Sequence, residues 1–159
     1  MLTLYHGSQV SVPLPDVKAE RKNLDFGQGF YLTKIKEQAE AWAVVMAGRK
    51  GRNAEAVLNT YHFCMERALA DAVRIKTFPT YDIEWLDYVV DCRQGKDFSG
   101  LYDIVEGGVA NDNVIDTVED YEKGVITAEQ ALGQLKYKIV NHQLCILSQA
   151  VIDNYLVFC

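Results

Sequence analysis

Tyr5-His6-Gly7-Ser8 and, further along, Asp25-Phe26-Gly27-Gln28-Gly29-Phe30-Tyr31-Leu32 are the stretches on which the reading of this chain turns. Leu2, Leu4 and Tyr5-His6 predict a short first strand that Gly7-Ser8 interrupts. The segment that follows, to about Gly29, carries Pro13, Pro15 and few periodic apolar positions, so it reads as a long irregular loop. Phe30-Tyr31-Leu32 then predicts a second short strand.

Working outward, Thr33 is placed to cap a helix whose apolar positions Ile35, Ala39, Trp42, Ala43 and Met46 recur every three and four residues. Gly48, Gly51 and the basic Arg49, Lys50 and Arg52 end it in a loop. Strands are expected over 54–63 and 73–78, and a helix over 82–92 with Ile83, Leu86, Val89 and Val90 on one face. A strand over 101–105 runs into Gly107-Gly108, and a short helix over 118–123 is closed by Gly124. Thr127 to Gln130 has capping-box spacing, which predicts a helix over 128–137. An apolar strand over 144–147, a helix capped by Ser148 and an edge strand over 156–158 complete the chain. Without a regular strand–helix–strand rhythm, repeat or linker, the fold class is a single α+β domain over residues 1–159.

The 159 residues are 49% hydrophobic and 24% charged, enough apolar material for one sizeable core. No apolar run has the length of a membrane span, and the N-terminus lacks a charged, apolar leader, so a cytoplasmic protein with no membrane contact is expected. Cys64, Cys92, Cys145 and Cys159 are widely spaced; no metal site or disulfide framework is read from them, and Cys159 stands too late for a prenylation box. A net charge of -6 disfavours nonspecific nucleic-acid binding, which needs many Lys and Arg against phosphates. Gly27-Gln28-Gly29 is not a dinucleotide fingerprint, because no Gly follows three places on and no buried strand precedes it.

The order of motifs, Tyr5-His6-Gly7-Ser8, then Phe26-Gly27-Gln28-Gly29-Phe30-Tyr31, then a helix with Ala39 and Trp42, resembles the ADP-ribosyltransferase superfamily in its His-Tyr-Glu branch, with the poly-ADP-ribose polymerases and diphthamide-modifying toxins. It looks closest to a small bacterial subfamily in which Glu84-Trp85-Leu86-Asp87 and the run from Gly107 to Asp112 also find counterparts. The resemblance implies split antiparallel β-sheets with flanking helices around an NAD cleft. It implies NAD as substrate with no metal, an unknown acceptor (protein, nucleic acid or small molecule) and, for a toxin of a toxin–antitoxin pair, an antitoxin partner.

By the same resemblance, Gly7 offers its backbone N–H and C=O to the nicotinamide carboxamide, His6 bonds the adenosine ribose, and Tyr31 stacks on the nicotinamide. Ser8 and Phe30 flank these groups, Trp42 covers another side of the pocket, and Arg21 pairs with the pyrophosphate. Gln38 and Ala39 stand where relatives place a Ser. The family's Glu before a late strand is replaced here by Gln143, so the catalytic set is His6, Tyr31 and Gln143. A Gln keeps a hydrogen bond but loses a charge aimed at a developing cation, at a cost of a few kcal/mol, on the order of a hundredfold to a thousandfold in rate. Asp112 is either a turn-former or a cleft acid that restores the charge.

Each residue also has a bland reading. Trp42 suits core packing, Arg21 and the basic loop suit a solvated surface, Gln143 suits an edge strand satisfied by backbone, and His62 suits a strand position without a ligand. Trp85, Phe78 and Tyr81 read as core. Two functions follow: an NAD-dependent mono-ADP-ribosyltransferase, or a catalytically degenerate module that binds NAD, ADP-ribose or a protein partner without turnover.

Overall fold

The computed structural model describes residues 1–51, 53–111, 114–136, 138 and 140–159. Asp112, Arg52 and the expected helix end at Tyr137 lie outside the described residues. One sheet contains β1 (Leu2–Ser8), β3 (Val57–Phe63) and β7 (Leu156–Phe158) in the order β1-β3-β7, antiparallel throughout. A second contains β2 (Phe30–Leu32), β6 (Gln143–Ile146), β5 (Ile104–Gly107) and β4 (Ile75–Thr77) in the order β2-β6-β5-β4. Among the described residues the two meet at one antiparallel bridge, where Tyr5 and Thr33 exchange N–H···O=C bonds of 2.8 and 2.9 Å.

Around these sheets lie α1 (Lys36–Lys50), α2 (Met65–Ala70), α3 (Ile83–Arg93), α4 (Ile115–Glu122), α5 (Ala128–Leu135) and α6 (Gln149–Tyr155), a single α+β domain as the pattern predicts. The expectation of wholly antiparallel sheets fails at one pair: β4 and β5 run parallel. The crossover through α3 gives the chain the length a parallel pair requires. The expected strand over 101–105 also begins later, at Ile104, because Tyr102 and Asp103 serve the turn that precedes it.

The second sheet is covered on both faces. Leu144 and Ile146 join Leu4, Phe30, Leu32, Tyr61 and Ile104 in one apolar cluster, while Cys145 and Val105 join Phe26, Trp85, Leu86, Val118 and Leu135 in another. Every residue of β6 is buried, which is why its sequence reads as an unbroken apolar run rather than an alternation.

Helix α1 corrects two expectations. Its buried stripe is Ala39, Ala43 and Ala47, whereas Trp42 is 47% exposed, with the Arg49 guanidinium 5.1 Å from its ring centre. The core-packing reading of Trp42 therefore fails. The reason is close backbone approach: a Cβ on Gly7 would lie 2.0 Å from the Ala39 carbonyl oxygen and 2.7 Å from the Ala43 nitrogen. Accordingly β1 does not break at Gly7-Ser8 but continues through both, with Gly7 opposite Leu58 and Ser8 opposite Val57.

The caps divide. Thr127 and Gln130 form the expected capping box of α5, and Asp82 caps α3 by accepting from the Trp85 N–H. Thr33 does not cap α1; its Oγ1 accepts from the Ile35 N–H, and Ile35 itself occupies the cap. Ser148 sits at the N-cap of α6 without a side-chain bond.

The long loop before β2 is irregular but pinned from outside. Buried Asn59 on β3 accepts from the Val12 N–H and donates to the Val10 carbonyl, and Tyr61 Oη donates to the Val12 carbonyl. Gln149 on α6 accepts from the Val17 N–H and donates to the Pro15 carbonyl. Within the loop, Gln28 donates to the carbonyls of Lys18 and Glu20.

Candidate functional site

Between β1 and β2 the ladder stops after one rung, and His6 is the cause. Because Tyr5 bonds Thr33 through both its N–H and C=O, the alternation of an antiparallel pair turns the N–H and C=O of Gly7 toward the same edge, level with Tyr31. The Tyr31 carbonyl that a continuing ladder would give to Gly7 instead accepts from His6 Nδ1, at 2.8 Å. The imidazole thus stands in the gap, its ring 4.6 Å from that of Phe30. Among the described residues, no β2 partner pairs with Gly7.

A carbonyl only accepts, so the Nδ1 carries the proton and the His6 Nε2 is the ring's acceptor. Burial holds the His6 pKa below its usual value, against opposing pulls from the Tyr31 carbonyl and Glu20. The ring is therefore neutral at physiological pH, with Nε2 able to accept from a hydroxyl. Tyr31 is half-buried; its Oη donates to the Gly27 carbonyl and accepts from the Phe26 N–H, which fixes the ring beneath the glycine turn.

Tyr31 and Gln143 lie on the same face of adjacent strands, since Tyr31 pairs with Cys145 and Gln143 is two residues away. Gln143 is 7% exposed and sits on a central strand, not an edge. Its Nε2 donates to the Gly108 carbonyl at 3.1 Å. The Gly108 carbonyl takes a second donor, Trp85 Nε1 at 3.1 Å, and Tyr81 Oη donates to the neighbouring Val109 carbonyl. Trp85, Phe78 and Tyr81 are core as read, and two of them also hold this loop.

Asp25 is the residue that sequence reasoning missed, although it opens the very stretch that carried the argument. Its Oδ2 accepts from the Ala110 N–H at 3.1 Å and its Oδ1 faces Arg93 at 3.4 Å. Burial raises its pKa above the ordinary aspartate value, while Ala110, Arg93 and Gln143 pull it back down. No periodicity marks such an acid, because it lies in a loop and its partners come from distant segments.

On the opposite face of the same sheet end, Glu106 pairs with Lys34 and with His142 Nε2, the latter at 2.8 Å. The Lys34 backbone N–H donates to His142 Nδ1, and Gln38 bonds both backbone groups of His142. The His142 contact, and then Lys34, hold the Glu106 pKa down to about 2 against its burial. Gln38 thus anchors the start of β6 to α1, a contact between protein groups.

The remaining expected residues are placed as follows. Phe30 is core, edge-on to Tyr61. Ser8 is nearly buried and accepts from the Val10 N–H at 3.4 Å. Arg21 lines a pocket of about 340 Å³ with Asn23, Leu24, Asp25, Arg93 and Glu122. Trp42 lies on the outer side of α1, and His62 is exposed. Among the described residues, no group of three or more His, Cys, Asp or Glu is arranged to hold a metal, and no helix is long and apolar enough to cross a membrane. The four cysteines are free, Cys92 and Cys145 buried, Cys64 partly so and Cys159 exposed.

Over residues 2–158 the chain matches the family described as "Protein of unknown function (DUF3990)", and it belongs to that family. Comparison with curated proteins and with solved structures returns no match.

Proposed function

We propose that this chain binds NAD at the open edge of β1 and acts as a mono-ADP-ribosyltransferase on an acceptor. The observation that carries the reading is the one-rung ladder: His6 occupies the Tyr31 carbonyl, and Gly7 turns its N–H and C=O to an edge that β2 has left. A backbone donor and acceptor side by side match a carboxamide, which offers one of each. The neutral His6 accepts from a ribose hydroxyl through Nε2, and the Tyr31 ring packs against the nicotinamide. Two sheets that, among the described residues, are bridged at Tyr5 and Thr33 support the split-sheet architecture that the resemblance implies.

In the transfer, the bond between ribose C1′ and the nicotinamide nitrogen breaks with its electron pair going to nicotinamide. A nucleophile of the acceptor bonds to C1′ and gives its proton to solvent. The toxin role, an antitoxin partner and a cytoplasmic location rest on the resemblance alone.

Isothermal titration of NAD into the protein, with nicotinamide followed by chromatography in the same sample, tests the proposal. Binding with release is expected, with affinity falling about tenfold or more in His6→Ala, the loss of one ribose hydrogen bond in a desolvated site. No heat and no thermal stabilisation at saturating NAD would remove the cleft reading. One observation favours a second reading, a module that binds without turnover: the Gln143 Nε2 is held by the Gly108 carbonyl, and position 143 brings no carboxylate of its own. Binding without release in the presence of every acceptor class tried would select that reading.

A further inference from the structure

We propose that the outer face of α1 is a docking surface for a second copy of this chain, the two helices packing antiparallel about a two-fold axis near Val44 and Val45. The dimer stands or falls independently of the transferase reading, because the stripe of α1 that meets Gly7 lies on the opposite side of the helix.

A helix that covers a sheet turns charged and polar side chains to solvent. Helix α1 does not: from Ala41 to Gly48 it reads Ala-Trp-Ala-Val-Val-Met-Ala-Gly, with no charged, amide or hydroxyl side chain over about two turns. Ala39, Ala43 and Ala47 form its buried stripe, and the helical period puts Ala41, Val45 and Gly48 on the side turned away from it. Trp42 flanks that line on one side and Val44 on the other. All five are exposed, Val44 to 64% and Val45 to 43%. A helix that is apolar all round packs on both sides, and a contiguous exposed patch of this kind marks an interaction site.

Charge decides what covers it. The ionised residues of α1 are sorted to its ends, Lys36, Glu37 and Glu40 before the apolar run and Arg49 and Lys50 after it. Lys36 lies 3.6 Å from Glu40 within the helix, so the N-terminal end is net negative and the C-terminal end net positive. An antiparallel copy sets the acidic end of one helix against the basic end of the other, twice, and opposes the two helix dipoles favourably. A parallel copy would set Arg49 against Arg49, and a surface carrying one sign of charge would be repelled at one of the two ends. About the two-fold, Ala41 lies level with Gly48, and Glu40 with Arg49. Both members of the first pair are small, and a Cβ on Gly48 would meet nothing within 4 Å, so the axes can approach closely there. The Arg49 guanidinium, 5.1 Å from the Trp42 ring centre, shares its flank, and Trp and Arg are the side chains that most often anchor interfaces. The contact is only one helix long, about 22 Å, which is small for a stable interface and sets a weak dimer.

Sedimentation equilibrium of the full-length chain from about 1 to about 300 µM tests the proposal. A monomer–dimer equilibrium with a dissociation constant on the order of tens of micromolar is expected. Trp42 emission should move to shorter wavelength as the dimer forms, whereas Trp85 is already buried in the monomer. Val45→Glu should weaken the dimer about tenfold or more with circular dichroism unchanged, since the position faces solvent in the monomer. Arg49→Glu with Lys50→Glu should weaken it about fivefold or more, and adding Glu37→Lys and Glu40→Lys should bring it back to within about threefold of wild type, because the ends have then exchanged signs. The concentration series needs only the wild type, so a variant that fails to fold leaves the test standing. A chain that is monomeric throughout overturns the proposal and leaves the apolar run to a partner other than this chain. A dimer indifferent to Val45→Glu overturns it too, as does one that the full charge exchange fails to restore.

Discussion

Gly7 and Gly48 flank the same helix contact yet answer to opposite constraints. A methyl on Gly7 would lie 2.0 Å from the Ala39 carbonyl oxygen, whereas one on Gly48 meets nothing within 4 Å. Gly7→Ala is therefore expected to destabilise the fold by roughly 3 kcal/mol or more, by forcing α1 off β1. Gly48→Ala should stabilise it by roughly 0.5–1 kcal/mol, by removing backbone freedom from the unfolded helix. Urea unfolding of the two variants checks both signs. The motif Tyr5-His6-Gly7 was legible in the sequence, but the reason for the glycine was only half legible: α1 demands it as much as any ligand. Gln143→Glu is decided at this scale too. A carboxylate there faces the Gly108 carbonyl, which only accepts, so the acid must keep its proton to replace the amide donor. Burial favours that neutral form and raises the pKa of the new acid, so ionising it costs stability as pH rises through its folded value. The variant is expected to lose about 1–3 kcal/mol at pH 7 and to recover at acid pH, where the proton restores the donor. A variant as stable as wild type at pH 7 would mean that position 143 opens to solvent.

Lys34, Glu106 and His142 tie together the exit of β2, the end of β5 and the start of β6, and Gln38 adds the first turn of α1. No strand or helix pattern announces this clamp, since each member stands just beyond or at the last positions of its element. The elements themselves were largely legible. The α5 capping box, the apolar face of α3 and the edge strand β7 follow their residues, whereas α2 passed unseen within its six residues. Helix α1 was placed correctly but its stripe was misjudged, because large apolar side chains read as core where the packing admits only alanine. The clamp has a pH dependence with a definite sign. The Glu106 pKa is lowered from 4.5 to about 2, so its contribution is present above pH 4.5 and lost as pH falls through that window. Glu106→Gln is expected to cost roughly 2–3 kcal/mol at pH 6, with the gap to wild type closing toward pH 2. Unfolding free energies at several pH values decide it; a gap that does not change with pH would leave the clamp with no ionic share.

Across the whole molecule, one bridge joins the two sheets among the described residues, and the irregular loop between β1 and β2 sends Phe26 into one core and Val17 into the other. Composition could not reveal what fixes it, because the pins come from β3 and α6: Asn59 and Tyr61 hold Val10 and Val12, and Gln149 holds Pro15 and Val17. The same loop carries Arg21, Asp25 and the glycine turn under Tyr31, so its order is a condition for the candidate site. Asn59 is the pin with most at stake. It is buried, and removing its amide leaves the Val12 N–H and the Val10 carbonyl without their partner, at about 1–3 kcal/mol. Because those groups belong to the loop, the loss falls on local opening before global unfolding. Asn59→Ala is therefore expected to speed tryptic cleavage at Lys18, Arg21 and Lys22 about tenfold under native conditions, the kinetic equivalent of about 1.4 kcal/mol in the opening equilibrium. The affinity for NAD should fall with it, since a loop that opens more often presents Arg21 and Tyr31 less often. Faster cleavage with unchanged NAD affinity would separate the loop from the ligand, and cleavage at the wild-type rate would show that Tyr61 and Gln149 hold it without Asn59.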